Sequence, residues 1–227
     1  MAYPTEFVKE MGEMGFLSMM TDPKYGGSGM DTLSYVLAME EISKIDSSCS
    51  VIMSVNNSLV LYGLEKYGTE EQKQKYIPRL TTGAEVGCFC LSEPEAGSDA
   101  TSQRTTAIDK GDHYVLNGVK NWITNGGRSD VYLVIAQTDR DKVHKRINAF
   151  IVEKGMEGFD IGPKEDKLGS RGSDTHTLQF NAVKVPKENL IGTLNDGWTI
   201  AKYLLTHERQ MIGGVGETDV RKAVHDI

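Results

Sequence analysis

Three stretches of this 227-residue chain carry residue types whose spacing could support chemistry. The first runs Phe89-Cys90-Leu91-Ser92-Glu93-Pro94-Glu95-Ala96-Gly97-Ser98-Asp99. A β-rich run ends at Ser92 and a proline turn follows. Gly97 and Ser98 are then small residues whose backbone N–H groups can approach a bound group closely. Texture alone also fits an ordinary Pro/Gly turn between strands. The second stretch, Trp122-Ile123-Thr124, reads alone as a core aromatic followed by a strand-end hydroxyl. The third, Leu205-Thr206-His207-Glu208-Arg209, sets a carboxylate beside a guanidinium, which by itself is the ordinary content of a solvated helix face.

Other chemistries find little support. His207-Glu208 lacks the second histidine of a zinc-protease helix, and His113, His144, His176 and His225 are scattered, so no metal site is expected. The glycine clusters 26–29 and 213–216 do not follow a predicted strand and open a helix, so neither is a dinucleotide fingerprint, and there is no P-loop. Cys88 and Cys90 lie two apart on a probable strand, a poor arrangement for a disulfide, and they and Cys49 read as packing residues in a reducing compartment. The formal charge of -7 argues against nucleic acid as a partner. The most apolar stretch, 50–64, is broken by Asn56, Asn57 and Ser58 and falls short of the ~20 apolar residues of a membrane span. No targeting segment is evident at the N-terminus.

These stretches need elements to hold them. The first third reads as helical: Pro4 suits a first turn, with Phe7, Val8, Met11 and Met14 at helical spacing before Gly15. Asp31 or Thr32 caps a helix carrying Leu33, Val36, Leu37, Met39 and Ile42, and a further helix covers 50–64 and ends near Gly68. Thr69 with Gln72 forms a capping box opening a helix that Pro78 disturbs. Beyond Gly83 the texture turns to short β-rich runs at 86–91, 104–109, 113–116, 119–124, 131–136, 148–152 and 175–183, separated by turn signals such as Asn117-Gly118 and Asn125-Gly126-Gly127. The spacing suggests an antiparallel barrel or sandwich. Helical spacing returns from Gly197, with Trp198, Ile200, Ala201, Leu204 and Leu205 as apolar positions. The expected class is therefore α+β: a helical domain over 1–84, a β domain over 85–193, and the first helix of a further helical domain over 194–227.

The run 90–102 resembles the flavin-binding signature of acyl-CoA dehydrogenases. Lys120-Asn121-Trp122-Ile123-Thr124-Asn125-Gly126 resembles that family's second flavin-contacting segment, and 167–175 a third family stretch. Met53-Ser54-Val55-Asn56-Asn57-Ser58-Leu59 is similar to the short-chain, butyryl-type members. Several spaced motifs in the family's order are far more specific than one short pattern.

The resemblance implies FAD as cofactor, with Phe89, Cys90, Leu91, Ser92, Gly97, Ser98, Trp122, Ile123 and Thr124 around it. Leu91 and Ser92 would meet the pyrimidine side of the ring, Trp122 would pack on the isoalloxazine, and Thr124 would donate near N5. Ser98, Thr206 and Arg209 would contact the acyl-CoA substrate. The implied reaction is α,β-dehydrogenation of a short-chain acyl-CoA to the trans-2-enoyl-CoA, with electrons passing to an electron-transfer flavoprotein. Glu208 matches the alternative base position of isovaleryl- and long-chain-type members, whereas many relatives carry the base in a later loop. Thr206 stands where many relatives have Asp, and Glu95 where glycine is commoner. The family's tetramer and its C-terminal bundle imply a homo-oligomer and a chain ending soon after that bundle begins. Weak or absent flavin binding and negligible turnover are then expected of this chain alone, or service as an interaction module. A branched, isovaleryl-type substrate is the second reading. The compartment would be the cytoplasm in a bacterium and the mitochondrial matrix in a eukaryote.

Overall fold

The computed structural model describes residues 2–138 and 146–225, with the side chains of the last helix described as far as Gly213. His144 and the His225 side chain lie outside the described residues. The chain runs from helices through a sheet to a long helix, as the α+β expectation had it. Helix α1 (Thr5–Glu13) follows Pro4 and buries only Val8 and Gly12. Phe7 and Met14, on its expected apolar face, are exposed. Helix α2 (Thr32–Ile45) is capped by Asp31, whose Oδ1 accepts from the Ser34 N–H at 2.8 Å.

The expected 50–64 helix is three pieces in one path. Helix α3 (Ser47–Ser54) passes into a π-helical stretch (Val55–Leu61) and then α4 (Tyr62–Tyr67). The polar residues that interrupt the apolar run are buried there and hydrogen-bonded. Asn56 Nδ2 donates to the Leu17 and Leu80 carbonyls at 2.8 and 3.0 Å, and its Oδ1 accepts from the Gly87 N–H at 2.9 Å. Asn57 does the same for Met19, Phe16 and Met53. The π stretch is thus a hub joining the N-terminal loop, helix α5 and the first strand. Helix α5 (Glu70–Thr81) opens on the Thr69–Gln72 capping box and continues through Pro78 rather than stopping at it. Among the described residues no helix is long and apolar enough to cross a membrane.

The strands are β1 (Gly87–Cys90), β2 (Thr106–Asp109), β3 (His113–Thr124), β4 (Val131–Gln137), β5 (Ile147–Glu153), β6 (Phe159–Lys164), β7 (Thr175–Pro186) and β8 (Leu190–Ile191). They form one sheet in the order β6-β7-β3-β2-β4-β5-β8, with β1 paired to β4. Most pairings are antiparallel, but β1–β4 and β2–β4 are parallel, a mixture the turn signals did not disclose. The Asn117-Gly118 signal is no hairpin either. It lies inside one strand, β3, opposite a bulge of β7 at Asn181 and Ala182, and the Gly118 backbone comes so close to Thr105 that a Cβ would sit 2.7 Å from the Thr105 Cα. Strands β6, which carries Gly162 and Pro163, and β8, two residues long, were not anticipated.

Strand β4 is buried along its whole length. Val131, Leu133 and Ile135 face a helical layer with Leu64, Ile77, Leu80, Ile200 and Leu204. The alternate residues Tyr132, Val134 and Ala136 face an interior shared with Leu116, Phe150, Leu178 and Phe180. Two covered faces explain why 131–136 reads as an unbroken apolar run. Helix α6 (Gly197–His225) docks through Ile200, Ala201 and Leu204, the spacing expected of it, with Trp198 and Leu205 half-buried beside them.

Candidate functional site

The first stretch folds as a tight turn leaving β1. The Glu93 and Ala96 backbones bond each other in both directions, at 3.0 and 3.1 Å. Beneath it lies a fully buried lysine. Lys120 Nζ donates to the Leu91 carbonyl at 2.9 Å, to Glu93 Oε1 at 2.7 Å and to Gln103 Oε1 at 3.3 Å. The Glu93 carboxylate also accepts from the Arg104 and Thr105 N–H groups at the approach to β2. Burial by itself would raise the Glu93 carboxyl, but the Lys120 ammonium and these backbone donors outweigh it and hold the carboxyl below its ordinary value.

The second stretch sits alongside. The Asn121 N–H donates to the Ser92 carbonyl at 2.8 Å. The β3–β7 register then slips between Lys120 and Ile123, and this irregularity turns Trp122 outward in a left-handed conformation, φ 62°, with its side chain 62% exposed. A bulky residue with positive φ is a genuine outlier and costs about 1–3 kcal/mol. Ile123 points back into the interior, while Thr124 is half-buried at the strand end. The turn beyond is braced by Asp174, whose carbonyl accepts from Asn125 N–H at 2.6 Å and whose carboxylate accepts from Gly127 N–H at 2.8 Å. His176 ties that carboxylate to the Gly162 carbonyl, at 2.8 and 2.7 Å.

Of the residues expected at a cofactor, Phe89, Ser92, Gly97, Ser98, Trp122 and Thr124 reach the surface in whole or part. Phe89 and Leu91 pack into the helical-layer core. The Cys90 side chain lies in the sheet interior, 3.6 Å from that of Cys88, so Cys90, like Ile123, can present only backbone to a ligand. All three cysteines are free and buried. A Cβ on Gly97 would meet nothing within 4 Å, so packing does not demand the glycine. The Ser92 N–H has no hydrogen-bond partner among the described residues. Together, an outward indole, an unpaired backbone donor and an open glycine form a surface suited to a flat aromatic ligand with a polar edge.

The third stretch is not the solvated pair its composition allowed. Glu208 is half-buried against the π-helical region. Its Oε1 accepts from Ser54 Oγ at 2.6 Å and its Oε2 from Ser58 Oγ. His207 stacks on the Tyr62 ring, centroids 3.9 Å apart, and burial lowers its pKa. Thr206 and Arg209 are exposed. One apolar cluster connects the regions: Phe89 and Leu91 from the turn, Val55 and Leu59 from the π stretch, Leu204 and Leu205 from α6.

Sequence reasoning missed Lys120, Ser54, Ser58 and Asp174 as parts of the arrangement. Lys120 left a trace, since it lies an even number of residues after the inward-facing Tyr114 and Leu116. Among the described residues, no group of three His, Cys, Asp or Glu could hold a metal ion.

Comparison with known proteins gives a consistent picture. The profile of the acyl-CoA dehydrogenase N-terminal domain matches residues 1–84, and that of the middle domain residues 88–183. The short-chain specific acyl-CoA dehydrogenase of Clostridium acetobutylicum is 48% identical over 199 residues, 88% of this chain and 52% of that protein. The structure of butyryl-CoA dehydrogenase from Megasphaera elsdenii superposes with a TM-score of 0.93 at 40% identity, covering 99% of this chain and 61% of that one. A Bacillus anthracis acyl-CoA dehydrogenase complexed with FAD gives 0.90 at 38% identity, over 97% of this chain and 38% of that one. The chain spans about half the length of the curated relatives it matches.

Proposed function

The chain belongs to the acyl-CoA dehydrogenase family, and from that premise we propose that it carries the flavin- and substrate-facing part of an FAD-dependent dehydrogenase of short-chain acyl-CoA thioesters. The product is the trans-2-enoyl-CoA, and an electron-transfer flavoprotein is the electron acceptor. FAD, when bound, supplies a ring nitrogen that accepts a hydride.

The observation that carries the reading is the pairing of Trp122 with the Ser92 turn. An exposed indole held in a costly backbone conformation has no packing reason to be there, and it stands beside a backbone donor without a partner. Both fit a flavin: the indole offers a flat apolar face, and the Ser92 N–H an acceptor's complement at the polar edge. The Thr124 hydroxyl, at the strand end two residues on, is the donor for the hydride-accepting side. Gly97 and Ser98 leave room for a phosphate-bearing chain to cross the turn.

Glu208 is the candidate base. The Ser54 and Ser58 hydroxyls each take one lone pair of its carboxylate, which fixes its orientation and leaves further lone pairs free to take a substrate α-proton. Thr206 and Arg209, exposed on the same helix, are the candidate contacts for the thioester's polar portion. A base on this helix is also what favours a branched, isovaleryl-type substrate as the second reading. Assembly into a homotetramer completes the proposal.

The test is a titration of the chain with FAD, read by tryptophan quenching. Trp122 and Trp198 are the two tryptophans, so a Trp198→Phe background isolates Trp122. Saturable quenching with a bound-flavin absorption spectrum supports the reading, and quenching no greater than with free tryptophan sinks it.

A further inference from the structure

Lys120 is fully buried, paired with Glu93, and unused by the chemistry just described. A buried Lys–Glu pair is a poor source of stability, since desolvating both charges consumes most or all of the attraction between them. Its geometry suggests a different service. Across a trans peptide the carbonyl and the following N–H point in opposite directions. The peptide joining Leu91 to Ser92 is trans, as are all those described. Its carbonyl is drawn inward onto Lys120 Nζ at 2.9 Å, so its N–H, that of Ser92, must face outward. The next carbonyl, that of Ser92, is pinned by the Asn121 N–H at 2.8 Å. Glu93 anchors the ammonium and is itself held by the Arg104 and Thr105 N–H groups, which indexes the turn against both β2 and β3.

We propose that Lys120 and Glu93 are positioning residues that present the Ser92 N–H, polarised through the Leu91 carbonyl, to the polar edge of a bound heteroaromatic ring; on the reading above, that ring is the flavin's. A charge-assisted bond to a carbonyl draws electron density from its peptide and strengthens the attached N–H as a donor. An apolar residue at 120 would leave the Leu91 carbonyl buried without a partner and the Ser92 peptide free to turn. The exposed Trp122 indole, beginning one residue beyond the Asn121 bond to Ser92, places the aromatic face beside this donor.

The test replaces the pair by neutral groups of similar shape, Lys120→Met with Glu93→Gln, in the full chain. The expected result is a folded protein by circular dichroism whose dissociation constants for FAD and for riboflavin both rise about tenfold. Riboflavin lacks the phosphates, so a parallel loss locates the effect at the ring. The absorption spectrum of the bound flavin should shift toward that of free flavin, which a purely structural pair would not cause. Amide exchange at Asn121 should quicken as the turn loosens. Wild-type affinities, or an unshifted bound spectrum, overturn the proposal. If the double variant does not fold, Ser92→Pro removes the donor without touching the pair, and retention of wild-type flavin affinity in that variant overturns it equally. Should the unaltered chain bind no flavin, the functional reading fails separately. Asn121 exchange then decides the positioning claim, an unchanged rate refuting it and a faster one sustaining it.

Discussion

The Glu208 carboxylate accepts a hydrogen bond from Ser54 Oγ at 2.6 Å, across a sequence separation of 154 residues. This bond joins α6 to the junction of α3 with the π-helical stretch. It removes Glu208 from the class of solvated helix residues that its neighbour Arg209 would suggest. Replacing both Ser54 and Ser58 by alanine should destabilise the chain by about 1–3 kcal/mol, because a half-buried carboxylate loses its donors. Urea denaturation measures this. A loss below a few tenths of a kcal/mol would mean water replaces the hydroxyls freely.

Glu208→Gln tests the proposed chemistry at the same place. With flavin bound, α-proton exchange of butyryl-CoA into heavy water should fall about 10²–10⁴-fold, the usual contribution of a positioned base. Exchange at the unaltered rate would show the proton leaving to another group.

Trp122→Gly should separate stability from binding. Glycine adopts φ 62° without strain, and little apolar burial is lost from a side chain 62% exposed. The melting temperature should therefore rise, corresponding to about 1 kcal/mol, while flavin affinity falls. A fall in both would place the indole in the fold rather than in a binding face.

Glu93 gives the pH dependence a sign. Its carboxyl titrates lower in the folded chain than in the unfolded one. The stability it contributes is thus fully present above the ordinary glutamate value of about 4.3, and is lost as pH falls through the lower folded value. Melting temperature followed between neutral pH and about pH 3 should show a steep acid limb, shallower in Glu93→Gln. Equal slopes would remove Glu93 from the acid transition.

Asn56→Leu should be the most damaging of these substitutions. It leaves the Leu17 and Leu80 carbonyls and the Gly87 N–H without their partner, at a cost of about 3 kcal/mol or more if none finds water. An unfolding midpoint near that of the unaltered chain would show that the buried network rearranges.

Local chemistry was legible in the sequence wherever it is closed locally. The Thr69–Gln72 capping box and the Asp31 cap are satisfied within three residues and formed as read. The order of helices, strands and helix followed from periodicity. The mixed sheet did not, because pairing direction is settled by distant partners. Asn117-Gly118 has the composition of a hairpin turn, yet it runs on inside β3, where Thr105 closes on the Gly118 backbone and the bulge falls on the opposing β7. At the candidate site, Ser92, Gly97 and Trp122 announced themselves through turn chemistry and resemblance. Lys120 and the two serines did not, since a buried lysine or a serine clamp is defined by what stands opposite, not by its neighbours in the chain.

Strand β1 pairs in parallel with β4, and a parallel pair cannot be closed by a hairpin. Everything between them, including Ser92, Lys120 and Trp122, is crossover chain that must be threaded through β2 and β3 before the pairing is complete. Contacts of such long sequence separation are slow to form. The turn at Ser92 is therefore fully braced only after β4 has joined β1. During refolding, native-like helical signal should precede competence to bind, and a nascent chain released before residue 137 would have its recognition residues without the strand that aligns them.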